Sequence, residues 1–133
     1  MAKLEGLAHI GLFITDIEKS KQFYGEMLGF ETIFECTSDE PDGTVTKVAF
    51  VKNGDLTLEL VQFANPRERT DGWVDHIALK VEDIEAVRDM LLERGIKFET
   101  DEITIAPHVF PNGSKWILFR GPDNEHLEIT EIL

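Results

Sequence analysis

The sequence predicts an α+β chain built from two tandem βαβββ modules with curved mixed sheets. Three observations predict it. The stretch LAHIGLFITDIEKS, Leu7–Ser20, returns sixty-seven residues later as VDHIALKVEDIEAV, Val74–Val87, with six of fourteen positions identical. In both copies a short strand-like alternation gives way to helical spacing, and a glycine follows, Gly29 or Gly95. LTLELV, Leu56–Val61, then lines up with EHLEIT, Glu125–Thr130, at an offset of sixty-nine, so the repeat extends to the last strand of each half.

The elements follow in order. The first strand carries His9 to Ile14. Asp16 is a good N-cap with acid in the first turn. Ile17, Phe23, Tyr24, Met27 and Leu28 give a helical stripe that Gly29 ends. Phe30-Glu31-Thr32 begins the next strand. Thr44–Lys52 and Leu56–Phe63 form a hairpin about Asn53-Gly54-Asp55. The second half repeats this plan. Asp83 caps, Ile84, Val87, Met90 and Leu91 form the stripe, Gly95 stops it, and Phe98-Glu99-Thr100 begins a strand. Ser114–Arg120 and Glu125–Ile132 are joined by Gly121-Pro122-Asp123-Asn124. Ala64–Gly72, with Pro66, Arg67 and Arg69, reads as the linker. The chain is expected to be one domain over residues 1–133, with modules at about 5–64 and 73–133 and a linker at about 65–72.

Composition bounds the function. A net charge of −13 argues against nucleic acid and anionic membranes, both of which demand Lys and Arg. No apolar run approaches a membrane span, and MAKLEGLAHIG lacks the apolar core of a signal peptide. A single cysteine, Cys36, excludes an internal disulfide framework. A cytoplasmic protein acting on a small molecule is the expectation.

Strand side chains alternate between faces. Ile10, Leu12 and Ile14 share one face, and His9 and Phe13 the other. Leu58 and Leu60 oppose Glu59 and Phe63. Ile77 and Leu79 oppose His76, and Leu127 and Ile129 oppose Glu128. The aliphatic face must cover the helix of its half. His9, Glu59, His76 and Glu128 therefore take the opposite, concave face, where a metal-binding cleft is expected. Two imidazoles and two carboxylates suit a first-row divalent ion such as Ni, Co, Zn, Mn or Fe. Four protein ligands on a six-coordinate ion leave two positions for water or substrate. His108 has no repeat partner and His126 aligns with Thr57. Both stand outside this set, with His126 able to support a ligand from behind.

The two modules, the HI-led strands, the late glutamates and the tail GPDNEHLEI resemble the vicinal oxygen chelate superfamily over nearly the whole chain. Its members include glyoxalase I, methylmalonyl-CoA epimerase, fosfomycin-resistance and bleomycin-binding proteins and extradiol dioxygenases. The set His9, Glu59, His76, Glu128 is similar to that of glyoxalase I. The short chain resembles the compact bacterial type, which often prefers nickel or cobalt over zinc. The resemblance implies a metal-dependent lyase or isomerase of lactoylglutathione lyase type, working by proton transfer through a metal-bound enediolate. Glu128 is implied as the leading base, with Glu59 as the alternative. It also implies a homodimer whose sites draw His9 and Glu59 from one subunit and His76 and Glu128 from the other. Glutathione-dependent members usually carry Arg four residues after the first His and Asn four after the first Glu. Here Phe13 and Phe63 occupy those places and make an apolar substrate wall, with Lys80, Lys115 and Arg120 as cations that could substitute. The alternatives are an epimerase or dioxygenase on a non-glutathione substrate, or a metal-free binding protein.

Overall fold

Each half buries an aliphatic strand face under an amphipathic helix, and this requirement sets the architecture. The computed structural model describes residues 2–66 and 70–133. They form two compact units. Arg67 and Arg69 of the predicted linker lie outside the described residues. No helix among the described residues is long and apolar enough to cross a membrane.

The first unit runs β1 Ile10–Phe13, α1 Ile17–Gln22, β2 Glu31–Asp39, β3 Val45–Asn53 and β4 Leu56–Gln62. Its sheet has the order β1-β4-β3-β2. β1 lies parallel to β4, and the other pairs are antiparallel. The second unit runs β5 Ile77–Lys80, α2 Ile84–Glu93, β6 Thr104–Ala106, β7 Ser114–Arg120 and β8 His126–Ile132. It repeats the plan as β5-β8-β7-β6, with β5 parallel to β8. The fold class is α+β, two tandem βαβββ modules with a four-stranded mixed sheet in each.

In the first unit the core holds Ile14, Ile17, Tyr24, Leu58 and Leu60, all buried. In the second it holds Ile84, Leu91, Ile117, Phe119, Leu127 and Ile129. Each such aliphatic or aromatic side chain contributes about 1.5–3 kcal/mol by leaving water. Both helices start as expected. The Asp16 carboxylate accepts from the amides of Glu18 and Lys19, and that of Asp83 from Ala86. A further acceptor comes from the last strand of each unit. The Ile17 amide donates to Gln62 Oε1 at 2.7 Å, and the Ile84 amide to Glu131 Oε2 at 3.2 Å. Each otherwise unpaired helix amide is thereby satisfied, and helix is tied to sheet. α2 ends in a Schellman turn. The Ile96 amide donates to the Leu91 carbonyl and the Gly95 amide to Leu92, with Gly95 at φ 93°.

Three expectations need correction. After Gln22 the first helix widens into a π-helical turn, Phe23–Met27. The wider turn lets consecutive Phe23 and Tyr24 both reach the core. Met90 is exposed; six residues beyond Ile84 it falls well outside the i, i+3, i+4, i+7 stripe. Phe98–Thr100 is not a strand. Phe98 makes a single bridge to Phe119, and pairing resumes only at Thr104 opposite Trp116. Five residues between these pairings on one side thus face two on the other. The excess bulges where the Thr100 hydroxyl donates to the Glu102 carbonyl.

Candidate metal centre

In both modules the histidine stands just before the first strand, and the glutamate sits in the middle of the last. Gly11 is in register with Glu59, and Ala78 with Glu128. Each histidine lies two residues upstream of the glutamate's partner, so parity puts both side chains on one face. In the first unit His9 Nε2 is 3.8 Å from Glu59 Oε1. In the second, His76 Nε2 is 3.3 Å from Glu128 Oε2. The structure thus brings the four predicted ligands together as two like pairs, one in each unit.

The separations test whether such a pair suits an ion. Two N/O donors at about 2.0–2.2 Å from a metal, at angles of roughly 90–110°, lie roughly 2.8–3.6 Å apart. The His76–Glu128 pair falls within that range, and the His9–Glu59 pair is slightly wide of it. The donor set, neutral imidazole with carboxylate, is the one first-row divalent ions accept.

The surroundings of the pairs differ. The His9 ring meets Phe50 edge-on at 5.4 Å between centroids, and Phe50 is the register partner of Glu59. A methyl group on Gly11 would stand 3.5 Å from Glu59 Oε1, an ordinary contact. In the second unit His76 Nδ1 is 2.9 Å from Asp75 Oδ2. The mostly buried His126 packs edge-on against His76 at 6.1 Å. Its Nδ1 is 3.2 Å from the Asp75 carbonyl. Its Nε2 is 3.1 Å from Glu99 Oε1 but is not aligned for a hydrogen bond. Glu128 is 12% exposed against 29% for Glu59. Burial pushes the Glu128 carboxyl above its ordinary pKa, against the opposing pull of His76, the Thr130 hydroxyl and His126.

Phe13 and Phe63 form an edge-to-face pair at 5.0 Å and are exposed, 48% and 39%. Of the three cations considered as substitutes for the missing Arg and Asn, two are engaged. Lys115 Nζ donates to Glu85 at 2.7 Å. The Arg120 guanidinium bonds Glu99, both oxygens of Asp71 and the Asn124 carbonyl.

Sequence reasoning missed Asp75, Glu99 and Asp71. Asp71, Asp75 and His126 bring ligand-type atoms within 4.8 Å of one another. Arg120 already compensates Asp71, holding its carboxyl below the usual range. This group is therefore an ion-pair network rather than a cation cage. The signal for Asp75 was present: the repeated phrase reads Asp-His in the second copy and Ala-His in the first.

The chain matches the family model of the Glyoxalase/Bleomycin resistance protein/Dioxygenase superfamily over residues 6–129. It belongs to that superfamily. An uncharacterized protein, YwkD of Bacillus subtilis (strain 168), is 34% identical over 96% of this chain and 98% of its own length. A probable lactoylglutathione lyase of Synechocystis sp. is 30% identical over 94% of each chain. The crystal structure of SMU.1112c superposes with a TM-score of 0.77 at 32% identity, covering 97% of this chain and 100% of that one.

Proposed function

We propose that the protein is a metal-dependent lyase or isomerase of glyoxalase I type, acting by proton transfer on a small molecule with two neighbouring oxygens. The observation that carries this reading is the repetition of one His–Glu pair at the same register in both modules. His9, Glu59, His76 and Glu128 would hold one divalent ion, two ligands from each module. That ion supplies Lewis-acid polarisation of the substrate oxygens.

The protein's own groups do the rest. Glu128 takes the proton from the carbon beside the carbonyl on a carboxylate oxygen and returns it to the neighbouring carbon. Its burial raises its proton affinity, which suits a base that must also give the proton back. Glu59 serves the opposite face of the substrate. Phe13 and Phe63 offer apolar surface that keeps water from the transferred proton. The protein is a homodimer in this reading, with His9 and Glu59 of one subunit completed by His76 and Glu128 of the other.

The test is metal analysis of the isolated protein, then an activity screen with Ni, Co, Mn and Zn across hemithioacetals and acyl-CoA thioesters, with Glu128→Gln as control. Absence of bound metal together with no activation by any of these ions would defeat the reading. Mixing inactive Glu59→Gln and Glu128→Gln proteins tests the shared site, since activity regained in the mixture supports it.

A second reading keeps the metal and changes the substrate. Phe13 and Phe63 stand where glutathione-dependent members usually carry Arg and Asn, and Lys115 and Arg120 are already paired. The two carboxylates of such a tripeptide would lose these expected partners, leaving Lys80 of the three cations considered. Epimerisation or oxygenation of a less charged substrate fits these facts. Iron content with oxygen consumption marks the oxygenase.

A further inference from the structure

We propose that Asp75 is a positioning residue for His76, accepting a hydrogen bond from Nδ1–H so that Nε2 is left as the ligating nitrogen; this rests on the metal reading above. An imidazole binds a metal through an unprotonated nitrogen, and the partner of its other nitrogen decides which one that is. His76 lies between two carboxylates. Its Nδ1 is hydrogen-bonded to Asp75 Oδ2 at 2.9 Å, while Nε2 approaches Glu128 Oε2 at 3.3 Å without forming a hydrogen bond. The proton belongs on the hydrogen-bonded side, and Nε2 then faces Glu128 as a lone pair.

An exposed carboxylate is a weak clamp by itself, since a mobile side chain loses most of what the contact gains. Asp75 is 63% exposed, but its backbone is held from behind. Nδ1 of the largely buried His126 lies 3.2 Å from the Asp75 carbonyl and 3.4 Å from the carboxylate itself. His126 is in turn the register partner of Arg120, whose guanidinium bonds Asp71 and Glu99. The residue ahead of the second-module strand is thus fixed by β7 and β8. The first module has no counterpart: Ala8 stands for Asp75 and Thr57 for His126. No hydrogen bond reaches His9 among the described residues. One histidine is preset for the metal and the other is not.

The experiment uses the full chain, metal-free and isotopically labelled, as wild type, Asp75→Ala and Asp75→Asn. Long-range proton–nitrogen correlation spectra, recorded where the rings are neutral, read the tautomer of each histidine. Wild-type His76 should carry its proton on Nδ1. Asp75→Ala should move it to Nε2, the form a free imidazole favours. Asp75→Asn should keep it on Nδ1, because the amide oxygen still accepts. His9 should not change. Chelator competition with Ni(II) and Zn(II) should show Asp75→Ala weakened about ten- to hundredfold, with Asp75→Asn close to wild type. A wild-type His76 protonated on Nε2 overturns the proposal, as does an Asp75→Ala protein with unchanged tautomer and affinity. The expected tautomer in a wild type that takes up no metal would support the hold of Asp75 on the ring and sink the metal reading alone.

Discussion

Glu128→Gln separates the cost of a buried carboxylate from its use. The ordinary glutamate pKa is 4.5, and burial raises that of Glu128 in the folded protein. Between the two values the folded state keeps a proton that the unfolded state has released. Stability therefore falls as pH rises through that window. Below the window both states are protonated and the full stability is present; above it both are ionised and the loss is complete. One titrating group can change the slope by at most about 1.4 kcal/mol per pH unit. Glutamine is nearly isosteric and has no such dependence. With a chelator present, denaturant unfolding should show the stability of wild type falling relative to Glu128→Gln as pH is raised above 4.5, then levelling. Metal should reverse the order. An ion at a hundred times its Kd stabilises the protein that binds it by about 2.7 kcal/mol, and the neutral amide should forfeit most of that. Parallel pH curves, or a difference that grows in favour of wild type, would refute the burial account. Equal stabilisation of both proteins by metal would remove Glu128 from the ligand set.

Other substitutions test the frame and the pocket. Gly95→Ala should cost about 1–2 kcal/mol in denaturant unfolding. The position sits at φ 93° with nothing within 4 Å of an added methyl, so the loss is one of backbone conformation alone. A loss near zero would mean the Schellman turn rearranges freely. Gln62→Ala should cost about 1 kcal/mol by orphaning the Ile17 amide. Gln62→Glu should retain the bond, as Glu131 does in the other module. Phe13→Arg with Phe63→Asn should raise kcat/KM on a glutathione hemithioacetal about tenfold, the equivalent of 1.4 kcal/mol of recovered charge-assisted hydrogen bonding. No gain in the metal-loaded enzyme would show that these two positions do not set substrate choice.

The frame was legible because a period of two is a strong constraint. A one-residue slip would turn every aliphatic side chain of β4 or β8 outward, so parity alone puts Glu59 and Glu128 opposite the leucines and isoleucines. Less constrained features were missed. Asp75 precedes β5, which begins at Ile77, so no pleat dictates its direction. Its carboxylate turns to His76 Nδ1, whereas strict alternation would send the two side chains apart. The bulge before β6 depends on where pairing with β7 resumes, and the apolar pattern around Phe98 does not specify that. The bonds from Gln62 and Glu131 were recoverable in principle. Those two residues share the offset of sixty-nine that relates Glu59 to Glu128, but a polar residue late in a strand reads as ordinary surface.

The two copies of the module agree at some positions and differ at others. At matched places the histidine and the glutamate are unchanged, while Ala8 answers Asp75, Phe13 answers Lys80, Thr57 answers His126 and Phe63 answers Ile132. A repeat selected only for folding would preserve the buried aliphatics and let half-exposed polar residues drift. Here the histidine and the glutamate have stayed, while at two of these four neighbouring places an apolar residue of the first module, Ala8 or Phe13, answers a charged one in the second, Asp75 or Lys80. Packing does not account for that, because the core of each unit is built from the aliphatic and aromatic side chains on the other face of these strands. A demand for the same two donor groups in both modules does account for it. The neighbours, free of that demand, can specialise. The second module sets its glutamate in the drier place and pairs its histidine with Asp75, and the first does neither.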